Sequence, residues 1–241
     1  MKIINLSAIQ ILAIFLVGFL SLTTTSCVEE LDSVSEDFTL ELPDFSSVTL
    51  DFPANVIITQ GAQQPVRINA QPEVFEALNK TVIDNEWLID LNNLQGKFES
   101  VTIEITIPTI EGLFATSTGD IIVSNDFDNL DLLTLETQST GSIEFSGTAQ
   151  QIDLLIDSTG DIDLNGATIT LNARLNGTGD LNAFGLVTED VDLVSTSTGD
   201  AEIWVENTLT VRMSGTGDVR YRGQPIIDSQ ITGTGELIDA N

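Results

Sequence analysis

A four-residue phrase, Ser/Gly-Thr-Gly-Asp or a close variant, occurs seven times between residues 117 and 236. Aligned on the glycine that follows the threonine, the copies are 18 to 22 residues apart, at Gly119, Gly141, Gly160, Gly179, Gly199, Gly217 and Gly235. Self-similarity at a nearly fixed period of this length indicates a repeat architecture. The repeat constrains the fold more than any other feature of the sequence.

Each copy of the repeat alternates apolar and polar residues. The residues eight, six and four positions before the glycine are mostly apolar, as in Ile152, Leu154 and Ile156, and the alternation resumes after it. A period of two with one apolar face indicates a half-buried strand. Each repeat therefore predicts a strand, a tight corner, a second strand and a looser corner. We attribute the corner glycine to backbone angles that other residues resist, and the threonine and aspartate to hydrogen bonds with turn amides.

One coil of this size cannot bury enough apolar surface to stand alone, so the coils are expected to stack on one another. The sequence thus predicts an all-β fold, a right-handed parallel β-helix or solenoid with about seven regular coils over residues 111–241. Residues 38–110 are strand-rich but less regular, and they predict irregular N-terminal β coils, continuous with the repeats, that cap one end. Within them, residues 72–80 predict a short helix, and the C-terminal tail is expected to cap the other end.

The N-terminal segment has the features of an export signal. Lys2 precedes an apolar stretch over residues 9–22, and small polar residues lead to Cys27, the only cysteine. This pattern predicts a lipoprotein signal peptide over 1–26 and a lipid on Cys27 that anchors the protein to the outer membrane. An ordinary secretory signal with an incidental cysteine is the alternative. Residues 27–37 are acidic and predict a tether between the lipid and the folded domain. We expect that domain to be exposed on the cell surface, and a domain that faces the periplasm is the alternative.

The order of several segments resembles a known family. The strand "NVIITQG" is followed by "VIDNEWLIDL", "VTIEITIP", the recurring "(S/G)TGD(I/L)" and a final "YRGQP…ITGTGELI". Over about residues 40–240 this order is similar to the family "Putative auto-transporter adhesin, head GIN domain" of exported Bacteroidetes proteins. The resemblance implies a β-helix-like fold of parallel coils and an adhesin-like role, and it brings no motif of catalytic residues.

The charge composition limits the possible functions. The chain has 37 acidic residues, 8 basic residues and no histidine, for a net charge of −29. Such a chain repels phosphate, which excludes nucleic-acid binding, and the missing histidine excludes Ser-His-Asp and Cys-His catalysis. We therefore expect no enzyme activity. A β-helix enzyme that acts on polysaccharides through paired carboxylates is the remaining catalytic alternative.

Acidic residues recur at one position of the repeat, directly after the glycine. They are Asp120, Asp161, Asp180, Asp200, Asp218 and Glu236, with Ser142 interrupting the series. Stacking would place neighbouring carboxylates about 5 Å apart, where they repel one another. An exposed ladder held by solvation and hydrogen bonds to turn amides is one interpretation. Bridging by calcium, a cation that prefers several oxygen ligands, is the alternative, and no other cofactor is expected.

A small group of basic and aromatic residues stands out near the C-terminus. Arg212, Arg220, Tyr221 and Arg222 bring three of the eight basic residues together and predict contact with a small anion or sugar, with charge balance as the alternative. Trp87 and Trp204 could stack on sugars or belong to the core. The sequence favours a cell-envelope protein that presents a solenoid surface to a glycan or protein. The alternative is a purely structural envelope spacer.

Overall fold

The computed structural model describes residues 30–94 and 96–241, so the predicted signal peptide and the predicted lipid site at Cys27 lie outside the described residues. The described chain is a curled β-sheet with 3% helix. The N-terminal part contains β1 (Glu36–Leu40), β2 (Ser47–Leu50), β3 (Asn55–Gln60), β4 (Val66–Ala70), α1 (Pro72–Ala77), β5 (Val82–Ile83), β6 (Glu86–Ile89) and β7 (Thr102–Ile107). The repeat part contains β8 (Gly112–Ala115), β9 (Ile121–Val123), β10 (Phe127–Thr137), β11 (Ile143–Ile156), β12 (Ile162–Leu175), β13 (Leu181–Ser195), β14 (Ala201–Met213), β15 (Val219–Arg222), β16 (Ile226–Ile231) and β17 (Leu237–Asp239).

The repeats form a β-solenoid of about seven turns, which confirms the predicted fold class. Strands β10 to β14 lie parallel and in chain order, and each pairs with the next. The first part of β11 pairs with β9 and its second part with β10, so one long strand contributes to two walls of the same coil. We call the wall that follows the Thr-Gly-Asp corner wall A, and the wall that precedes the next such corner wall B.

The apolar positions read from the repeat face the core. In β11, Ile152, Leu154 and Ile156 are all buried, and their register partners in β12 are buried as well. Residues between them are partly or fully exposed. Stacking the coils therefore joins the inward side chains into one continuous core, as the burial of apolar surface requires.

The looser corner between walls A and B differs from its predicted form. In β11 to β14 the chain does not break there but continues as one bent strand, whereas β15 and β16 are separate strands. Gly166, within β12, has a φ of +117°, and Gly223, between β15 and β16, has a φ of +92°. A Cβ on Gly166 would lie 1.9 Å from the carbonyl oxygen of Gly147 in the preceding coil. Both the left-handed backbone and the close approach of the coils require glycine at this corner.

The Thr-Gly-Asp glycines are required for a different reason from the one predicted. None of the seven is among the described residues with positive φ. Instead, each sits directly on the coil before it. A Cβ on Gly160 would lie 2.0 Å from the carbonyl oxygen of Gly141, and one on Gly179 would lie 2.1 Å from that of Gly160. The repeat keeps glycine here because a methyl group would collide with fixed backbone in the adjacent coil.

The N-terminal part adds coils in an order that does not follow the sequence. Strand β2 pairs on one side with β6 and on the other with β8, and β3 lies likewise between β7 and β9. The β2–β3 coil is thus inserted between the β6–β7 coil and the first repeat. The chain leaves the stack through β4 and α1 and returns with β6 and β7 as the outermost parallel coil.

Antiparallel strands close this end of the solenoid. Strand β4 pairs antiparallel with β7, β1 pairs antiparallel with β4, and β5 forms a hairpin with β6. Helix α1 is shorter than predicted because Leu78 is already extended. The Phe38 ring stacks on that of Phe75 in α1, 4.2 Å between centroids. The N-terminal β region therefore forms a cap of alternating strand direction.

The part of the predicted tether that the structure describes lies against this cap. The amide of Leu31 donates to the carbonyl of Lys97 at 3.0 Å, and Gln71 Nε2 donates to the carbonyl of Ser33 at 2.7 Å. Strand β1 begins at Glu36, inside the predicted tether. Among the described residues, no helix is long and apolar enough to cross a membrane.

The C-terminal tail forms the last coil instead of the predicted cap. Strand β16 pairs with β14 and β17 pairs with β15, each in the parallel direction of the repeats. All six residues of β16 are exposed. The solenoid thus has one closed end and one open end.

Candidate binding surface

The repeated aspartates form a hydrogen-bonded ladder along the first corner. Each carboxylate accepts from the backbone amide at the same position in the next coil. Asp161 Oδ1 accepts from the amide of Asp180 at 2.8 Å, Asp180 Oδ1 from that of Asp200 at 2.7 Å, and Asp200 Oδ1 from that of Asp218 at 2.8 Å. The series continues from Asp120 to the amide of Ser142 and from Asp218 to that of Glu236.

This ladder explains how closely spaced like charges are tolerated. A carboxylate that accepts from a backbone amide gains a charge-assisted hydrogen bond, and water reaches the partly exposed oxygens. At Ser142 the hydroxyl takes over the same role and accepts from the amide of Asp161 at 3.2 Å. Among residues 30–94 and 96–241, no three Asp, Glu, His or Cys side chains are grouped as a metal site would need. The hydrogen bonds that they accept from the next coil make the aspartates inter-coil braces.

Arg220 contacts two carboxylates of the ladder near its C-terminal end. Its guanidinium donates to Asp200 Oδ2 at 2.7 Å and to Asp218 Oδ2 at 3.3 Å. Hydrogen bonds from Arg220 and then from the Asp218 amide hold the pKa of Asp200 below its ordinary value, and the bond to Asp200 raises the pKa of Arg220. Arg220 thus bridges two neighbouring carboxylates and offsets part of their mutual repulsion.

The other members of the predicted contact group do not gather around Arg220. Arg212 lies on wall B, in the second part of β14, where Nη1 is 3.2 Å from Asp192 Oδ1. Tyr221 occupies an inward position of β15, in register with buried Ile203, and packs against the core. Only Arg220 and Arg222 share the outward face of β15. The structure therefore brings two of the four residues together on one wall.

Arg222 belongs to an aromatic surface on wall A. Its guanidinium carbon lies 4.1 Å from the centroid of the Phe184 ring, a cation–π contact. Trp204 lies beside them, in register with Arg222, and its indole Nε1 donates to Glu206 Oε1 at 2.6 Å. We call Phe184, Trp204 and Arg222 the aromatic surface.

The two tryptophans differ in their surroundings. Trp87 is fully buried in the N-terminal coils and donates to the carbonyl of Asn79 at 3.0 Å. Trp204 is half-buried on the outer face. Trp87 is thus a core residue, and of the two only Trp204 can present a ring to a ligand.

The aromatic surface lies where the repeat is interrupted. Between β13 and β14 the register jumps from Ala183–Ile203 to Val187–Trp204, so residues 184–186 have no partner in β14. Such bulges re-aim side chains and are frequent beside functional sites. Sequence reasoning singled out Trp204 and Arg222 but missed Phe184, because its role depends on a register shift. The sequence signal for this register shift was the spacing of the repeat glycines. Gly179 and Gly199 are 20 residues apart, whereas the two later intervals are 18 residues each.

Wall B carries a shallow groove on its outer face. Its lining includes Glu136, Asp153, Asn172, Arg174 and Asp192. Asp153 Oδ1 accepts from Asn172 Nδ2 at 2.7 Å and from Gln151 Nε2 at 2.8 Å. Polar side chains of this groove thus bond to one another both within a coil and between adjacent coils.

Comparisons with known proteins identify relatives of the same architecture. The family model described as "Putative auto-transporter adhesin, head GIN domain" matches residues 44–225. A putative adhesin from Bacteroides fragilis has a similar structure, with a TM-score of 0.77, 22% sequence identity, and coverage of 84% of this chain and 94% of its own. A putative adhesin and a putative lipid binding protein from Parabacteroides distasonis have TM-scores of 0.71 and 0.70 at 17% and 15% identity, and each similarity covers 86% of this chain and 98% of the other. No curated protein matches the chain.

Proposed function

The chain belongs to the family described as "Putative auto-transporter adhesin, head GIN domain", and from this membership we propose that it is a non-catalytic, adhesin-like binding protein of the cell envelope. A lipid on Cys27 anchors it to the outer membrane, and the solenoid faces outward to meet a surface glycan or protein. The sequence of residues 1–27 supports the anchor, and the names of the family and of its structural relatives support the adhesin-like role.

The aromatic surface is the observation that carries the binding role. Partly exposed aromatic rings on a rigid wall stack on the apolar faces of sugars, and nearby polar side chains select hydroxyl groups. Asn182 and Glu202 lie in register on the same wall, next to the strand positions of Phe184 and Trp204. This combination favours a glycan over a protein as the ligand.

The charge of the chain selects among glycans. A net charge of −29 disfavours association with anionic polymers through long-range repulsion. The basic residue of the aromatic surface, Arg222, is engaged with Phe184, and the neighbouring Arg220 is engaged with two aspartates. The surface therefore suits a neutral glycan better than a sulfated or uronic one.

Two experiments test this proposal. In the first, intact producing cells are treated with protease and blotted for this protein, with a periplasmic protein as the marker. Loss of the protein while the marker survives is expected. Full protection until lysis would refute the surface location.

In the second experiment, the full chain is applied to an array of neutral and anionic oligosaccharides. Trp204→Ala is expected to abolish binding to neutral members. Phe114→Ala, which removes a half-buried ring from wall B, is the matched control and is expected to bind as wild type. Equal binding by wild type and Trp204→Ala would remove the aromatic surface as the site. Absence of any binding would favour a structural spacer.

A further inference from the structure

The last coil exposes side chains that every regular coil before it buries. Ile227 and Ile231 of β16 are in register with Leu209 and Met213 of β14. Leu209 and Met213 are 0% and 2% exposed, whereas Ile227 and Ile231 are 39% and 41% exposed. The inward face of the repeat thus continues to the end of the solenoid and is left open to solvent there.

The free edge of β16 is also unprotected. Within the described chain β14 is its only partner, so one row of its backbone N–H and C=O groups faces away from the solenoid. Proteins usually blunt such an edge with lysine, proline, a bulge or a covering segment. Pro225 stands directly before the strand, but within residues 226–231 there is no lysine or proline, and the only charged residue is Asp228.

At the same end of the solenoid, the corner after β15 differs from β16 because its backbone groups have hydrogen-bond partners. The side chain of Asn241 accepts from the amide of Gly223 at 2.9 Å and donates to its carbonyl at 2.8 Å. It takes the place that the backbone of a further coil would occupy. Among the described residues, the corner after β15 thus has hydrogen-bond partners on its outer side, whereas the outer edge of β16 has none.

We propose that β16 pairs with β16 of a second copy of this chain, antiparallel, about a two-fold axis through Ser229. In this register Ile227 of each copy lies opposite Ile231 of the other, so the apolar core runs on from one solenoid into the next. Asp228 lies opposite Gln230. An amide–carboxylate pair of this kind already joins adjacent coils within the chain, where Gln150 Nε2 donates to Asp131 Oδ1 at 2.9 Å.

The alternation of β16 selects this register and this partner. A shift by one residue would place inward side chains opposite outward ones and break the core. Centring the pair on Asp228 would put two aspartates face to face, and centring it on Gln230 would separate the isoleucines. Only the pairing centred on Ser229 places both inward isoleucines of each copy opposite isoleucines of the other and also keeps Asp228 from its counterpart. Because the strand complements itself, a second copy is the occupant it fits, and the resulting interface is isologous.

Site-specific cross-linking in intact producing cells tests the pairing with the full chain. Ser229→Cys lies on the two-fold axis, so mild oxidation is expected to give a species of twice the chain mass that thiol reduction reverses. Ser214→Cys is the matched control, since Ser214 is exposed on the preceding coil and lies far from its counterpart in the pair. We expect several-fold more dimer from Ser229→Cys. Equal yields, or a cross-linked species containing another protein, would overturn the proposal.

A second variant tests whether the cross-link depends on the contact between isoleucines. Ile227→Glu, added to Ser229→Cys, is expected to abolish the dimer because it places a charge in the shared core. Since Ile227 is solvent-exposed in the single chain, the variant should keep the circular dichroism spectrum and protease resistance of the wild type. A folded double variant that still cross-links at the original yield would refute the proposed interface.

Discussion

The close stacking of the repeat glycines predicts how much stability the variant Gly179→Ala would lose. The new methyl carbon would lie 2.1 Å from the carbonyl oxygen of Gly160 and 2.9 Å from its carbonyl carbon. Because both are backbone atoms inside a paired coil, no side-chain rotation relieves the contact. The corner must open by about 1 Å to reach the shortest tolerated distance of 3.0 Å.

Opening the corner weakens the hydrogen bonds that join the two coils there. Thr178 and Gly179 donate to the carbonyl of Ser158 at 2.7 and 3.1 Å, and Asp180 donates to Asp161 at 2.8 Å. At about 1 kcal/mol for each bond, the loss is about 3 kcal/mol. For a chain of this size that corresponds to a fall in Tm of about 6–12 °C.

Thermal unfolding followed by circular dichroism measures this effect, with Gly61→Ala as the matched control. At Gly61 the new methyl would meet only Thr106 Cγ2, at 2.9 Å, and this is a side-chain atom that can move. We expect a loss below about 1 kcal/mol for the control. A Tm of Gly179→Ala within about 2 °C of wild type, or equal to that of Gly61→Ala, would refute the collision as the reason for the repeat glycine.

Three further predictions concern the ladder and can be read from the same melting curves. Asp180→Ala removes the acceptor of the Asp200 amide and is expected to lower stability by about 1 kcal/mol, whereas Asp180→Asn keeps an acceptor and removes a repelling charge, so it should be nearly neutral. Because the pKa of folded Asp200 lies below its ordinary value of 3.8, its contribution is fully present above that value and is lost as the pH falls through the folded pKa. The Tm difference between wild type and Arg220→Gln should therefore be largest near neutral pH and shrink below about pH 3.8; a constant difference would contradict the assigned contact. Excess EDTA and then calcium are expected to leave the Tm unchanged, and a clear rise with calcium would favour the bridging alternative.

The regular coils could be predicted because each repeats one local pattern. Apolar residues at alternate positions, such as Leu171 and Leu175, fix which side of the strand faces the core whatever the rest of the chain does. The stack then follows from the need to bury that side. The bent strand at Gly166 was harder to predict from the sequence, because a continuous strand and a turn differ there by the conformation of a single residue.

The N-terminal coil order and the aromatic surface could not be predicted, because both depend on pairing between distant segments. Nothing local to β2 indicates that β6 and β8 will lie on its two sides. Phe184 is likewise brought against Arg222, two coils away, by a register shift between β13 and β14. Alternation describes one strand and its faces, whereas such contacts depend on the relative alignment of several strands.

Each coil of the solenoid makes the same contacts with the next one. These repeated contacts stabilise the stack, and they also leave unpaired groups on its last coil. Each coil offers the next an aspartate oxygen for its corner amide, a carbonyl beneath its glycine and an inward apolar row. A structure built this way has no internal reason to stop, so its ends must differ from its middle in composition or in partner. At the first end the difference is compositional, since antiparallel strands such as β1 and β4 no longer repeat the coil. At the last coil β16 still repeats it, with Ile227 and Ile231 in place, and the proposed pairing with a second copy would supply the missing neighbour.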